Sequence, residues 1–195
     1  MQIKLWRVYV LIHGDTMEEE PLGLQEVKCR TIMAFDDFRG YTAVLWDAGI
    51  ADELHFQAVQ INQGFSNKPY TLRGLHYQNA PYEQAKLVSC LHGSIYSVAV
   101  DIRPASDSFG KYVAEILSAE NRKVMYVPKG FAHGYLTLEP NTLMQWCVDA
   151  DFCTEAAQCL RWDDVSVNIS WPLGRRDPVI SEKDRNGRNL MEICI

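Results

Sequence analysis

The chain has 195 residues, 47% hydrophobic and 23% charged, which is the profile of a globular protein long enough to build a real core in one domain over residues 1–195. Its net charge of −6 argues against nucleic acid as the main partner, so any phosphate it holds must be met by locally placed arginines and lysines. The six cysteines (Cys29, Cys90, Cys147, Cys153, Cys159, Cys194) include no Cys-x-x-Cys pair and read as reduced thiols of a cytoplasmic protein.

Strand signals dominate in chain order. Lys4 to His13 and Glu26 to Ala34 are β-rich runs separated by the acidic segment Asp15 to Gly23. The first run is broken by Arg7 and lacks a small-residue cleavage site, so it reads as neither a signal peptide nor a membrane span. One short helical turn is expected near Ala51–His55. Lys86–Leu91 and Ser94–Asp101 flank His92-Gly93 and read as a hairpin. Tyr112–Leu117 with Lys123–Val127, and Gly134–Leu138 with Thr142–Val148, repeat that pattern around polar turns. Short strands at regular spacing imply a sandwich or barrel, not a parallel α/β sheet. A second helical turn is expected near Ser181–Arg185, inside a polar tail that begins at Trp171 and drapes over the barrel.

The chemistry concentrates in Leu72-Arg73-Gly74-Leu75-His76-Tyr77-Gln78, with Lys86 ten residues after the histidine. A second histidine follows in Pro128-Lys129-Gly130-Phe131-Ala132-His133-Gly134-Tyr135. Histidine to take a proton, with lysine and arginine to hold negative charge, suits an anionic substrate bearing an acidic C–H. A hydrolase is disfavoured, since no serine or cysteine sits in a nucleophile-elbow context.

These runs, together with Gln84-Ala85-Lys86-Leu87-Val88, Val98-Ala99-Val100-Asp101-Ile102-Arg103, Leu117-Ser118-Ala119-Glu120-Asn121, Arg161-Trp162-Asp163-Asp164 and Ile180-Ser181-Glu182-Lys183-Asp184, resemble the dTDP-4-dehydrorhamnose 3,5-epimerases. They lie in order over roughly residues 35–185; the first thirty residues look longer than is usual in the family. The resemblance implies an all-β fold, a cupin-type double-stranded β-helix (jelly-roll barrel) with few short helices. It also implies a homodimer whose N-terminal strands cross to the partner, a nucleotide-diphosphate sugar as substrate, and no metal or redox cofactor. The reaction would be inversion at carbon 3, carbon 5 or both of a 4-keto-6-deoxy sugar, within deoxysugar and surface polysaccharide biosynthesis.

By resemblance, His76 is the base, Asp184 orients it, and Lys86 stabilises the enolate. A lone strand histidine is ordinarily structural, a tail aspartate ordinarily solvated, and an edge lysine ordinarily snorkels; the neighbours Arg73 and Lys86 raise the catalytic reading of His76. Arg39 and Arg73 resemble substrate-binding arginines whose forked donors suit a pyrophosphate, with Lys183 assisting. His133, Gln60, Asn62 and Phe152 match further substrate contacts, Phe152 being where an aromatic stacks on the nucleotide base. For His133 and Phe152 a purely structural reading stays open.

The chain also departs from the pattern. Trp146 occupies the place of the family's proton-donor tyrosine, and indole N–H is no useful Brønsted acid near neutral pH. Ile61, Val44 and Ala157 replace acidic contacts, and Phe152-Cys153-Thr154-Glu155 replaces Tyr-x-Pro-Glu. Tyr135, Tyr126 or an ordered water could supply the missing proton; Cys147 could do so only if it turned inward, and strand alternation points it opposite to Trp146. Two other readings stand beside the epimerase: a sugar-nucleotide-binding relative without catalysis, supported by Trp146, and a metal-dependent cupin using His76 and His133. Against the latter, Gln78 stands where a His-x-His motif needs its second histidine.

Overall fold

The computed structural model describes residues 19–20 and 23–193, so the strand expected over Lys4–His13 and Cys194 lie outside the described residues. Fourteen strands are described, with three short helices. One six-stranded sheet runs in the order β1 (Glu19–Glu20), β2 (Lys28–Thr31), β10 (Lys123–Val127), β7 (Lys86–His92), β12 (Thr142–Val148), β5 (Gln60–Ser66). The facing sheet runs β13 (Ala157–Cys159), β6 (Thr71–Gln78), β11 (Phe131–Thr137), β8 (Ser94–Asp101), β9 (Tyr112–Ser118), with β14 (Val179–Ile180) parallel to β6. A separate hairpin, β3 (Ala34–Asp37) with β4 (Gly40–Ala43), completes the set. This is the expected all-β jelly roll.

The three expected hairpins are corrected. β7 pairs with β10 and β12, and β8 with β11 and β9, so β7 and β8 lie in opposite sheets. The chain likewise changes sheet between β9 and β10 and between β11 and β12. Each change falls on a residue of positive φ: Gly93 (75°), Arg122 (55°) and Asn141 (57°). The turn chemistry was read correctly as a reversal, but it builds arches between sheets instead of β-hairpins.

Alternation explains the core. Cys29, Val88, Cys90, Ile95, Ala99, Met125 and Met144 point between the sheets. Val98, Val100 and Leu75 point outward, where Leu160, Val167, Leu190 and Trp171 of the C-terminal segment cover them. With both faces covered, β11 is buried along its whole length, its polar His133 and Thr137 included. The tail therefore does more than drape over the barrel. It adds β14 to the sheet and carries a helix, α2 (Glu182–Arg185), whose Asp184 is buried. The other helices are α1 (Ala48–Leu54), which covers the outer face of the first sheet, and α3 (Leu190–Ile193), which the sequence reading did not anticipate. No helix among the described residues is long and apolar enough to cross a membrane.

Candidate active site

A cleft of about 230 Å³ opens between the sheets and is lined by Arg73, His76, Lys86, His133, Trp146, Phe152 and Lys183, along with Gln78, Gln84, Tyr135, Met144 and Gln158. Seven of the eleven predicted site residues thus converge on one cavity; Asp184 stands behind it. The volume lies under the usual range for small-molecule pockets, so a nucleotide sugar must extend over the rim.

His76 sits on β6 and faces His133 of β11 in register. Close approach of these strands depends on glycine. A Cβ on Gly74, whose φ is 121°, would lie 2.5 Å from the Cα of Gly134 and 2.8 Å from the carbonyl oxygen of His133. The register shift sets three steps of β6, Arg73 to His76, against two of β11, Tyr135 to His133, so Arg73 and His76, which strict alternation would put on opposite faces, both reach the cleft.

Behind His76, the Asp184 carboxylate lies 2.8 Å from Nε2 through Oδ1 and accepts from the Gly74 backbone N–H at 3.2 Å through Oδ2. The Ser181 hydroxyl caps α2 by accepting from the Asp184 backbone N–H at 3.1 Å. Burial raises the Asp184 pKa, but the hydrogen bonds from His76 and Gly74 outweigh it, and the net shift is downward. An ionised Asp184 holds Nε2 protonated, leaving Nδ1 as the basic lone pair.

Lys86 comes from the opposite sheet and reaches across to donate to the carbonyl oxygen of His76 at 2.9 Å. Burial lowers its pKa to about 8. His133 is buried, and Nε2 lies 3.0 Å from the Ser97 hydroxyl. Burial, reinforced by the charges of Lys86 and His76, drives its pKa well below the usual histidine range. His133 is therefore a neutral hydrogen-bonding group, and the cleft's positive charge is Lys86 with Arg73 and Lys183 at its mouth. Arg73 is steadied by donating to the Ser66 hydroxyl at 3.3 Å and the Phe65 carbonyl at 3.1 Å.

Three predicted residues do not line the cleft. Arg39 sits on the exposed β3–β4 turn, paired with Asp37 at 2.6 Å. Gln60 and Asn62 bond to each other on β5, where Asn62 is opposite Trp146 in register. Of the proposed proton donors, Tyr126 packs with Phe56 and Trp46 outside the barrel, beside Cys147. Tyr135 lines the cleft, and burial pushes its phenol up to about 12, with the Ser66 hydroxyl and the Arg73 charge opposing that shift. The phenol starts on the His76 sheet and ends beside Gly64 on the facing sheet, where a Cβ would come within 3.1 Å of it. Sequence reasoning missed Gln84, Gln158 and Met144; only Met144 carried a signal, being two residues from Trp146 on the same strand face.

Among the described residues, the group of His, Cys, Asp and Glu side chains close enough to share a metal is His76, Cys159 and Asp184, with ligand atoms within 4.8 Å. It leaves out His133, so it is not the pair a metal-dependent reading invoked. Burial raises the Cys159 thiol to about 12 and His76 Nε2 is committed to Asp184, which suits an uncharged thiol packed behind a proton-transfer dyad. Cys90, Cys147, Cys153 and Cys159 are free thiols.

A jelly-roll cleft with an aspartate-backed histidine, a buried lysine and cations at its mouth fits the class of cupin-type isomerases. Residues 21–192 match the sequence profile of dTDP-4-dehydrorhamnose 3,5-epimerase. The enzyme of that name from Sinorhizobium fredii is 38% identical over 186 residues, covering 93% of each chain. The one from Escherichia coli K12 is 46% identical over 135 residues, covering 69% of this chain and 72% of its own. Among solved structures, the Bacillus anthracis enzyme with TDP and PPi bound superposes with a TM-score of 0.84 at 34% identity, covering 89% and 99% of the two chains. The Legionella pneumophila epimerase in complex with dTDP-4-keto-L-rhamnose gives 0.85 at 34%, covering 91% and 97%. The chain belongs to the dTDP-4-dehydrorhamnose 3,5-epimerase family and is an isomerase of deoxysugar biosynthesis.

Proposed function

We propose that this enzyme inverts one carbon adjacent to the ketone of a nucleotide-linked 4-keto-6-deoxy sugar. The observation that carries the reading is the His76–Asp184 dyad opening onto the same cleft as Lys86. The 4-keto group acidifies the neighbouring C–H. His76 Nδ1 takes that proton, and the C–H electron pair moves into an enolate whose oxygen is held by the Lys86 ammonium. Asp184 stabilises the imidazolium that forms. Reprotonation on the opposite face completes inversion. Trp146 forms a wall there, and we assign the proton to the Tyr135 phenol, since a neutral phenol is a competent donor and indole is not.

Arg73 and Lys183 would grip the pyrophosphate, Phe152 would stack on the base at the rim, and Gln60 and Asn62 would contact the ligand above Trp146. Arg39 would serve the cleft of a second copy, since its hairpin projects from the barrel with Phe38 97% exposed. Chemistry of this kind needs neither metal nor redox cofactor.

The test is NMR of nucleotide 4-keto sugars in D₂O with the protein. Deuterium should enter at a carbon next to the ketone, and inversion should appear at one carbon. Absence of any exchange would favour the non-catalytic binding reading that Trp146 supports.

A further inference from the structure

Gln78 closes β6 two residues beyond the base, and it is 6% exposed. A buried amide is costly unless its polar atoms are bonded, and this one is bonded heavily. Its Nε2 donates to the Tyr82 carbonyl at 2.5 Å and to the Asp151 carbonyl at 3.2 Å. Its Oε1 accepts from the Cys153 backbone N–H at 2.7 Å. Two carbonyls on one side and an N–H on the other leave one amide orientation.

The partners at 151 and 153 bracket Phe152, which stands 59% exposed at the rim of the cleft. Neighbouring contacts hold the segment further back: Gln84 Nε2 donates to the Ala150 carbonyl at 2.7 Å, and Asp149 Oδ1 accepts from the Ala85 N–H at 2.7 Å. Flanking Phe152 itself, the side-chain contacts that bridge to another strand come from Gln78.

We propose that Gln78 is a positioning residue for nucleotide recognition: it clamps the backbone on both sides of Phe152 and so fixes the aromatic platform relative to the base His76 on the same strand. The inference rests on the reading of Phe152 as the base-stacking residue. A side chain on a surface loop would otherwise sample many rotamers and backbone states, and ordering them on binding costs affinity. Pre-ordering from the strand that carries the base also sets the distance between nucleotide and reacting sugar.

The experiment compares thymidine diphosphate with inorganic pyrophosphate as probes, by calorimetry on the full chain. Gln78→Met removes all three bonds at similar volume; Gln78→Glu keeps the length, cannot donate to the two carbonyls, and serves if the methionine variant does not fold. Phe152→Ala and the double variant complete a cycle. Thymidine diphosphate should bind about tenfold more weakly to each single variant, the scale of one base–aromatic stack. Pyrophosphate affinity should be unchanged, KM for the sugar nucleotide should rise with kcat retained, and the double variant should be no weaker than Phe152→Ala alone.

Equal loss of both probes in the Gln78 variants, or losses that multiply in the double variant, would overturn the proposal. If Phe152→Ala leaves thymidine diphosphate affinity intact, the stacking reading fails instead, and the role given to Gln78 falls with it.

Discussion

Lys86 is asked to do two opposed things: stay charged for the enolate and stay buried. With its pKa lowered to about 8 by burial, the proposed mechanism expects activity to fall as pH rises through that value, because the neutral amine would no longer hold the enolate oxygen. Stability runs the other way. Between about pH 8 and 10.5 the unfolded chain binds more protons than the folded one at this site, so the burial penalty shrinks as pH rises and is full below 8. Lys86→Met should therefore raise Tm at pH 7 by a few degrees while removing most of kcat, as scanning calorimetry and the NMR assay would report. His76→Ala should abolish deuterium entry and leave nucleotide binding nearly intact; wild-type exchange in that variant would refute the base assignment. Asp184→Asn should lose activity and keep the fold, and a chelator should change neither. Tyr135→Phe should retain exchange but lose inversion by about 10²-fold or more, the worth of a positioned acid. Adding Trp146→Tyr to that variant should restore inversion. Wild-type inversion by Tyr135→Phe would remove the phenol from the mechanism.

At the scale of elements, the same local signal supports two different pairings. Gly93, Arg122 and Asn141 all adopt positive φ where the chain reverses, and such reversals are what a sequence reading takes for hairpin turns. Whether the next strand pairs with its predecessor or crosses to the facing sheet depends on which apolar faces find cover, and that is a long-range matter. At Gly93, φ is 75° and a Cβ would meet the Thr142 hydroxyl oxygen at 2.6 Å. Gly93→Ala should thus cost about 1–3 kcal/mol, seen as a lower denaturant midpoint with an unchanged slope. Its kcat should hold, since the arch lies outside the cleft lining. The helical turns expected near residues 51–55 and 181–185 fall on α1 and α2, although the first range misses the start of α1 at Ala48; both helices begin at local caps, where Asp47 and Ser181 accept from the N–H groups of Ile50 and Asp184.

At the scale of the whole molecule, the β3–β4 hairpin, Ile61 and Phe65 on edge strand β5, and Val59 just before it leave apolar surface uncovered. A homodimer would cover such surface and bring Arg39 to a second copy's cleft. Sedimentation should give twice the 22.3 kDa chain mass, and Arg39→Ala should raise KM more than it lowers kcat. Mixing Arg39→Ala with His76→Ala protomers should recover part of the activity if Arg39 acts in trans; no recovery would place it in its own chain's cleft or outside the site.

The sequence by itself determined the strand-rich architecture and the family, and it picked out seven residues that line the cleft. His76, Lys86, Arg73 and His133 lie within or beside short ordered motifs, and strand alternation is enough to mark several of them as inward. Tertiary structure alone decided what closure of the barrel brings together. Asp184, 108 positions from His76, meets it because the tail adds a parallel strand to β6. Cys147 lies opposite to Trp146 by strand alternation alone, but that Tyr135 faces the cleft while Tyr126 packs outside was decided by which face of each strand the closed barrel turned inward. Arg39 stands apart because its hairpin belongs to neither sheet. Local spacing records which face of a strand a residue occupies; which faces end up opposite each other is set by burying apolar surface across the whole chain.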